Sequence, residues 1–426
     1  SYRTAIGLAP QRLDARTNLH AALSRLKAWP EMRDNAAAIR AAHPATAFGP
    51  FALGDALMGL ARFDDAIAAY RQALALDPLQ HPAWEGIGNA HRSLNRIEDA
   101  IAAYRQAVLI GPQNASAQAN LAMAQLVAGD YAAGLDGYES RWDCDTPLTI
   151  RPRPDTPVWT GAASLAGRRI LLQAEQGVGD TLQMLRYVKP VAARAAHVVL
   201  EVQPRLKTLL SGFSGAEVIS AADPRPPTDL HITLMSLPRA FGSQLATIPA
   251  ELPYLAAPPP HRRRWAGLLK PDPRPTIGLA WAGNPEHAND RHRSIPLACF
   301  RRIVEAAECR FVPLQLQLAD GEAALLASLP NMVDLRGELT DFAHTAAAIS
   351  RMDLVISVDT AAAHLAGALG RPTWLLLPFS PDWRWLLGRD DTPWYPGMRL
   401  FRQPAFADWD SVIDRIATEL RAFAGD

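Results

Sequence analysis

Residues 353–378, DLVISVDTAAAHLAGALGRPTWLLLP, contain two short apolar runs separated by a turn and a helical segment. Each run has the length of a buried strand. The helical segment ends at Gly370, and glycine often follows a helix because it tolerates a left-handed backbone. Two strands joined through a helix form parallel neighbours in one sheet. This stretch therefore predicts an α/β fold.

The same alternation continues in two series of short apolar runs. The first series is RILLQ, HVVLEV, AEVIS and DLHI, and the second is TIGLAWAG, FVPLQLQ, MVDL, DLVISVD and TWLLLP. Residues 253–275 separate them, and prolines there disfavour a strand or helix interior. We expect two Rossmann-like α/β halves, residues 169–260 and 272–426, with a cleft between them and a hinge near 258–275.

The first third of the chain has an internal period of 34 residues. Residues 64–78, DDAIAAYRQALALDP, are nearly copied at 98–112, EDAIAAYRQAVLIGP. Such a period is typical of stacked helix pairs. Gly54 and Ala66 are small enough for two helices to approach closely, and Tyr70 is predicted to fill the gap as a packing residue. Prolines recur with the same spacing, at positions 10, 44, 78 and 112.

This pattern resembles a tetratricopeptide array. Residues 47–80 and 81–114 fit the repeat well, whereas 13–46 and 115–144 are degenerate and are expected to act as caps. Residues 1–10 match only the end of a repeat, so we expect further repeats upstream.

We therefore predict an α-solenoid over residues 1–144, followed by a proline-rich linker over 145–168. Stacked helix pairs leave one extended concave face free, and this face is expected to bind a peptide or protein partner.

The composition limits the cellular setting and the partners. Lys and Arg together number 43, as do Asp and Glu, so overall charge indicates no nucleic-acid partner. Cys144, Cys299 and Cys309 do not form a CxxC pair, which favours a reducing, cytoplasmic compartment. No apolar run approaches the roughly 18 residues of a transmembrane helix.

A glycine-rich turn follows the first predicted strand, in residues 173–180, QAEQGVGD. Turns of this kind lie at the carboxyl edge of a parallel sheet, where ligands bind. Gln176, Gly177 and Gly179 are therefore candidate site residues. Asp180 is either a site residue or a cap of the following helix, and the sequence leaves both alternatives open.

The junction after residues 353–358 forms a second candidate site. Asp359 and Thr360 connect a strand to a helix, Ala361 leaves room beside the helix start, and a phosphate group fits such an N-terminus. His364 follows one turn later, so it either faces the ligand or has a structural role.

The loop of residues 281–297, WAGNPEHANDRHRSIPL, is rich in polar and cationic side chains. Guanidinium groups of Arg291 and Arg293 suit a diphosphate, although a solvated surface loop explains them as well. Aromatic residues cluster further on, where they either stack on a nucleobase or sugar or pack the cleft wall. They are Trp383, Trp385, Trp394 and Tyr395.

Metal ligands are poorly represented in the sequence. The Asp-x-Asp motif at residues 143–145 lies at the end of the repeats, where a solvated helix end explains it better than a cation site. No HExxH or comparable ligand spacing occurs. We therefore expect neither a metal ion nor a cofactor.

Three ordered segments, EQGVGDTLQMLRY, WAGNPEHANDRHRSIPL and LVISVDTAAAHLAGALGRPTWLLLPFSPDWRW, together resemble tetratricopeptide-fused proteins related to glycosyltransferase family 9, the heptosyltransferases. The resemblance implies a GT-B fold, with the nucleotide-sugar donor held by the C-terminal half and the acceptor by the N-terminal half. It also implies inversion at the anomeric carbon without a metal ion.

By position, the resemblance implies that Asp180 is the general base and that Arg293 contacts the donor phosphate. The family's DTxxxH element falls on Asp359, Thr360 and His364, with the backbone at Thr360 and Ala361 facing the diphosphate. The expected donor-binding set is Trp281, Asn284, Arg291, Arg293, Asp359, Thr360, Ala361, His364 and Trp383.

The function expected from this resemblance is inverting sugar transfer from a nucleotide sugar to an acceptor. Heptosyltransferases act on lipid-linked glycans and usually lack repeats, whereas the array resembles that of protein-modifying glycosyltransferases. A protein acceptor such as flagellin is therefore expected. The alternatives are a glycan acceptor, as in heptosyltransferases, or a repeat scaffold with a non-catalytic transferase-like domain. A dehydrogenase is disfavoured because no GxGxxG fingerprint follows a strand.

Overall fold

The computed structural model describes residues 2–9, 12–144, 156–286 and 290–425. The chain divides into two compact units, residues 1–146 and 147–426. Residues 145–155 of the predicted linker lie outside the described residues, as does Pro10, whereas residues 156–168 are described. Within the described ranges, no helix has the length and apolar character needed to cross a membrane.

The first unit is helical, and consecutive helices pack against one another. It contains α1 (Tyr2–Leu8), α2 (Leu13–Arg25), α3 (Trp29–Ala42), α4 (Phe48–Gly59), α5 (Phe63–Leu76), α6 (His81–Ser93), α7 (Ile97–Ile110), α8 (Ala115–Val127) and α9 (Tyr131–Gly137), followed by a 3₁₀ helix (Tyr138–Trp142). The predicted helical array is thereby confirmed.

The repeat signature residues form the contacts between paired helices. A Cβ atom added to Gly54 would lie 2.5 Å from Cε1 of Tyr70, so only glycine allows the tyrosine ring to lie there. The Tyr70 hydroxyl donates to Asp55 Oδ1 at 2.7 Å. One repeat later, the Tyr104 hydroxyl donates to Asn89 Oδ1 at 2.8 Å. Both tyrosines are buried, as expected for packing residues.

The second unit contains two fully parallel sheets, with strand orders β3-β2-β1-β4 and β6-β5-β7-β8-β9. The strands are β1 (Arg169–Gln173), β2 (His197–Val202), β3 (Glu217–Ser220), β4 (Leu230–Thr233), β5 (Thr276–Ala280), β6 (Arg310–Pro313), β7 (Leu354–Val358), β8 (Thr373–Leu377) and β9 (Met398–Arg402). Every residue of β5, β7 and β8 is buried, as expected for parallel strands covered on both faces.

Helices connect and cover these strands. They are α10 (Val178–Met184), α11 (Val188–Ala192), α12 (Pro204–Leu210), α13 (Leu237–Ala240), α14 (Pro259–Leu268), α15 (Asp290–Arg293), α16 (Leu297–Val304), α17 (Glu322–Ser328), α18 (Phe342–Ile349), α19 (Ala361–Ala368) and α20 (Trp409–Ala424).

Strands β1 to β8 fall on predicted apolar runs, and two details differ. The run at 332–335 makes only an isolated parallel bridge, between Met332 and Phe311 of the edge strand β6. It is only partly buried, unlike the strands inside the sheet. Strand β9 was not predicted, because MRLFR carries two arginines and shows no long apolar run. The α/β architecture with parallel sheets is confirmed.

The connector between the halves contains a helix, and the prediction that its prolines exclude one was wrong. Pro259 and Pro260 occupy the first turn of α14, where a missing backbone N–H removes no helical hydrogen bond. Trp265 is buried, and its Nε1 donates to His344 Nδ1 on α18 at 3.1 Å. Helix α14 is thus fixed to the second half, and the hinge near 258–275 stays a prediction.

Candidate active site

The candidate site lies where α10 meets α19. Each helix follows a central strand of its sheet, β1 or β7, and the two helices pack directly against each other. A Cβ atom added to Gly179 would lie 2.9 Å from His364 Cδ2 and 3.6 Å from Ala361 Cα. The two predicted turns therefore come together, and the small residues at positions 179 and 361 make this approach possible.

Asp180 caps its own helix and also contacts the opposite half, and its role as a site residue stays a prediction. It is the third residue of α10, and its Oδ2 accepts a hydrogen bond from the backbone N of Gly177 at 2.9 Å, so it caps its own helix. Its Oδ1 accepts from Nη2 of Arg384 at 2.6 Å, so it also reaches the opposite half. A quarter of the side chain remains exposed (25%), which leaves the carboxylate accessible to a ligand.

Arg384 was missed by the sequence analysis. It lies in a 3₁₀ turn after β8, between Trp383 and Trp385, with only 7% of its side chain exposed. Besides Asp180, it donates from Nε to Gln183 Oε1 at 2.6 Å and from Nη1 to Asp382 Oδ1 at 2.9 Å. Its position just after a strand's carboxyl end was a usable signal, because the same criterion identified Arg293.

A second buried arginine joins the two halves. Arg186 follows α10, and its Nη1 donates to the carbonyl oxygen of Trp394 at 2.6 Å and to that of Pro249 at 3.0 Å. Its Cζ lies 4.7 Å from the centre of the Tyr395 ring, a cation–π distance. No local sequence pattern marked this residue, because its partners are remote along the chain.

Among the described residues, the backbone N–H groups of Ala361 and Ala362 at the start of α19 have no hydrogen-bond acceptor. Thr360 is the N-cap residue, yet its side chain makes no capping hydrogen bond and its Oγ1 lies 3.2 Å from Ser357 Oγ instead. The first N–H groups of a helix have no intrahelical acceptor. Ala361 and Ala362 are partly exposed, so an anion can reach these groups.

Arg293 lies beside this helix start. Its Nη1 donates to the carbonyl oxygen of Asp359 at 3.0 Å, and its Nε contacts Asp290 Oδ1 at 3.3 Å. The other predicted donor-binding residues of this loop are more exposed to solvent than Arg293. Arg291 is exposed and donates to His292 at 2.9 Å, and Asn284 is also exposed, with its Oδ1 accepting from the backbone N of Glu286 at 3.1 Å. Residues 287–289 lie outside the described residues.

Two tryptophans assigned to donor binding are buried in packed regions, which corrects the expectation that their side chains line the site. Trp281 is 0% exposed, and its Nε1 donates to Glu322 at 3.2 Å. Trp383 packs edge-on against Trp394, with ring centroids 5.9 Å apart. Trp385 and Tyr395 are also fully buried, so this aromatic cluster packs the protein interior.

Burial changes the protonation of two groups at the junction. Burial, reinforced by the charge of Asp382, raises the pKa of Asp359 to about 6, although Trp385 donates to its Oδ2 at 2.9 Å. Burial lowers the pKa of His364 well below its usual value, and nearby arginines lower it further. The neutral His364 ring lies 3.0 Å from the Tyr395 hydroxyl through Nδ1. His364 thus packs within the interior through Nδ1, whereas its Nε2 lies 3.8 Å from Asp359 Oδ1 at the junction, and its ligand-facing role stays a prediction.

One group of potential metal ligands occurs among the described residues. Atoms of His261, Asp341 and His344 lie within 4.8 Å of one another. However, His344 Nδ1 already accepts from Trp265, and Asp341 Oδ1 accepts from the backbone N of His344 as a helix cap. The geometry fits a capped and packed helix start, so we assign no metal to it.

A cavity of about 340 Å³ lies at a different place in the second unit. It is lined by the segment 253–257 and by residues at the ends of α18 and α19, including Arg351 and Arg371. Because α19 begins at the carboxyl edge of its sheet, its end lies at the opposite edge. The cavity is therefore separate from the candidate site.

Two known protein families match this chain, one in the helical region and one in the α/β unit. Residues 51–115 and 87–147 match Tetratricopeptide repeat, and residues 318–376 match Glycosyltransferase family 9 (heptosyltransferase). The second match includes Asp359 to His364 but not Asp180, Arg293 or Arg384.

The curated Protein FlbA of Caulobacter vibrioides is 28% identical over 348 residues, which are 73% of this chain and 56% of FlbA. The chain thus spans little more than half the length of that relative.

Two solved structures are also similar. The glycosyl transferase family 9 from Veillonella parvula DSM 2008 aligns with a TM-score of 0.45 and 11% identity, covering 61% of this chain and 91% of that chain. TTC0263, a thermophilic TPR protein in Thermus thermophilus, aligns with a TM-score of 0.32 and 19% identity, covering 34% of this chain and 79% of that chain. From the family matches, the chain combines tetratricopeptide repeats with a glycosyltransferase family 9 domain.

Proposed function

We propose that the second unit is an inverting glycosyltransferase that moves a sugar from a nucleotide-sugar donor to an acceptor hydroxyl. The observation that carries this proposal is the meeting of Gly179 with Ala361, because it brings a carboxylate on one sheet next to an anion-binding helix start on the other. The family 9 match supports glycosyl transfer as the reaction class.

On the donor side, the diphosphate binds at the start of α19. The backbone N–H groups at Ala361 and Ala362 and the Arg293 guanidinium supply positive charge there. Among the described residues, Arg293 keeps Nη2 without a hydrogen-bond partner, so this atom is available to a phosphate oxygen. Because Gly179 already touches Ala361, donor entry separates the two turns, and this gives the predicted hinge its function.

On the acceptor side, Asp180 accepts the proton of the acceptor hydroxyl. The hydroxyl oxygen attacks the anomeric carbon, the bond from that carbon to the phosphate oxygen breaks, and the nucleoside diphosphate leaves with the electron pair. The positive charge at α19 stabilises the leaving group, so the reaction proceeds without a metal ion. A carboxylate within hydrogen-bond reach of the hydroxyl is the geometric requirement for this base.

The repeats bind the acceptor, which we propose to be a protein such as flagellin. Repeat arrays of this type commonly hold extended peptides on their concave face. Holding the acceptor near the second unit raises its effective concentration at Asp180. The donor sugar, by contrast, is selected within the second unit.

A thermal-shift titration with ADP, GDP, UDP and their sugar conjugates tests the proposal, because a ligand that binds only the folded state raises the melting temperature. We expect one nucleotide family to stabilise the protein and Arg293→Ala to abolish the shift. Arg399→Ala is the matched control, because Arg399 pairs with Glu419 on β9 and α20. Absence of any nucleotide-dependent shift in the wild type would contradict the proposal.

A further inference from the structure

We infer that Arg384 positions Asp180 for proton abstraction and does so only while the two halves are closed. This inference rests on the proposed function. Arg384 belongs to the C-terminal half and Asp180 to the N-terminal half, yet Nη2 and Oδ1 are only 2.6 Å apart. The ion pair therefore exists only when the halves are in contact.

Where it meets Asp180, the guanidinium group is held by contacts from both halves. Its Nη1 donates to Asp382 on its own turn, and its Nε donates to Gln183 of α10. With only 7% of the side chain exposed, the group has little freedom to rotate. A guanidinium group fixed in this way sets the direction from which its Nη2 contacts Asp180 Oδ1.

The other carboxylate oxygen is fixed by the N-terminal half alone. Asp180 Oδ2 accepts from the backbone N of Gly177, a contact that does not depend on Arg384. Two donors on two oxygens determine the plane of the carboxylate, whereas one donor leaves rotation about the side chain possible. Each carboxylate oxygen keeps a further lone pair for an acceptor hydroxyl. Arg384 is therefore a positioning residue, and closure of the halves completes the base.

The turn that carries Arg384 also contacts the donor side, because Nε1 of Trp385 on this turn donates to Asp359 Oδ2 at 2.9 Å. One short turn of the C-terminal half thus contacts both Asp180 and the residue just before α19.

The test compares full-length wild type, Arg384→Ala, Arg384→Lys and the control Arg399→Ala. Release of nucleoside diphosphate is followed with whichever of ADP-, GDP- and UDP-sugars the wild type turns over, and donor binding is measured by calorimetry. We expect Arg384→Ala to lower kcat on the order of 100-fold while donor Kd changes less than about threefold. Arg384→Lys should retain more activity, and added guanidinium should partly restore Arg384→Ala but not Asp180→Asn. Arg399→Ala should behave as wild type.

The outcomes of this test distinguish a failure of the Arg384 positioning role from a failure of the proposed function. Unchanged kcat in Arg384→Ala overturns the positioning role, and so does a loss of donor affinity that accounts for the whole effect, since Arg384 would then be a donor ligand. Failure of guanidinium to restore any activity, with circular dichroism showing a native fold, also overturns it. A wild type that turns over none of the donors contradicts the proposed function itself, and with it any catalytic role of Arg384.

Discussion

Gly179 and His364 lie in direct contact across the two halves of the second unit, with no room for even one methyl group between them. A Cβ atom on Gly179 would lie 2.9 Å from His364 Cδ2, and His364 is itself held between Tyr395 and Trp385. The imidazole cannot move away without disturbing this buried cluster.

Gly179→Ala should therefore open the contact between α10 and α19. We expect a loss of about 1–3 kcal/mol in the free energy of unfolding from overpacking. Turnover should fall by at least tenfold, because a displaced turn moves Asp180. Gly212→Ala is the control, since a Cβ at Gly212 meets nothing within 4 Å. Chemical denaturation and initial rates of both variants check this, and equal behaviour of the two would refute the close contact.

A second prediction follows from the buried carboxyl of Asp359. Its folded-state pKa of about 6 exceeds the unfolded value near 3.8, so the folded state holds the proton more tightly. Ionisation of Asp359 thus lowers the free energy of unfolding as pH rises from about 4 to 6, and above pH 6 this loss of stability stays at its full size. Asp359→Asn removes it.

The expected result is a gain in unfolding free energy for Asp359→Asn that is near zero at pH 4 and reaches at most about 3 kcal/mol at pH 7. Urea denaturation at both pH values measures the difference between variant and wild type. Asp320→Asn, at an exposed position, is the control. A stability difference that does not change with pH would show that Asp359 does not titrate as described.

The strand–turn–helix pattern was sufficient to locate half of the candidate site. Asp359 directly follows β7, and Asp180 and Ala361 lie in the first turns of α10 and α19. The carboxyl edges of parallel strands, where these residues lie, are predictable from local sequence. Arg186 and Arg384 were not found, because their roles depend on contacts between residues about 200 positions apart. Local periodicity contains no information on such pairs.

The direction in which a side chain points was the second feature of the site that the sequence did not predict. Trp281 immediately follows β5, so its place in the sequence suggested the cleft, but its indole turns into the core and bonds to Glu322. Helix α14 is not apparent from the proline content of the whole connector, because its prolines lie in the first turn, where they are compatible with a helix.

A third prediction concerns metal ions. The diphosphate is expected to be neutralised by Arg293 and the α19 start, so sugar transfer should persist in excess EDTA. Rates with EDTA, with added Mg²⁺ and with added Mn²⁺ measure this. His344→Ala should show the same insensitivity as the wild type, since His344 is assigned a packing role. Complete loss of activity in EDTA, restored by a divalent cation, would require a metal-dependent mechanism.

A fourth prediction separates recognition from chemistry. Residues 147–426 form a compact unit of their own and contain every candidate site residue. Expressed alone, they should bind the donor with unchanged affinity but transfer sugar to a protein acceptor at least about 100-fold more slowly, because the repeats no longer concentrate the acceptor. Intact-mass analysis of the acceptor after timed incubation measures transfer. Equal rates with and without the repeats would favour a small or lipid-linked acceptor.

The central claim is that Asp180 is the base of a glycosyl transfer at the junction of α10 and α19. Asp180→Asn keeps an oxygen that can cap Gly177 but removes the basic group and the charge that pairs with Arg384, so circular dichroism is recorded to check the fold. Single-turnover rates with saturating donor, together with donor Kd, test it most directly. The account predicts a rate lowered by at least about 100-fold with donor Kd nearly unchanged. A rate within a few-fold of wild type would reduce Asp180 to a helix cap and contradict the mechanism.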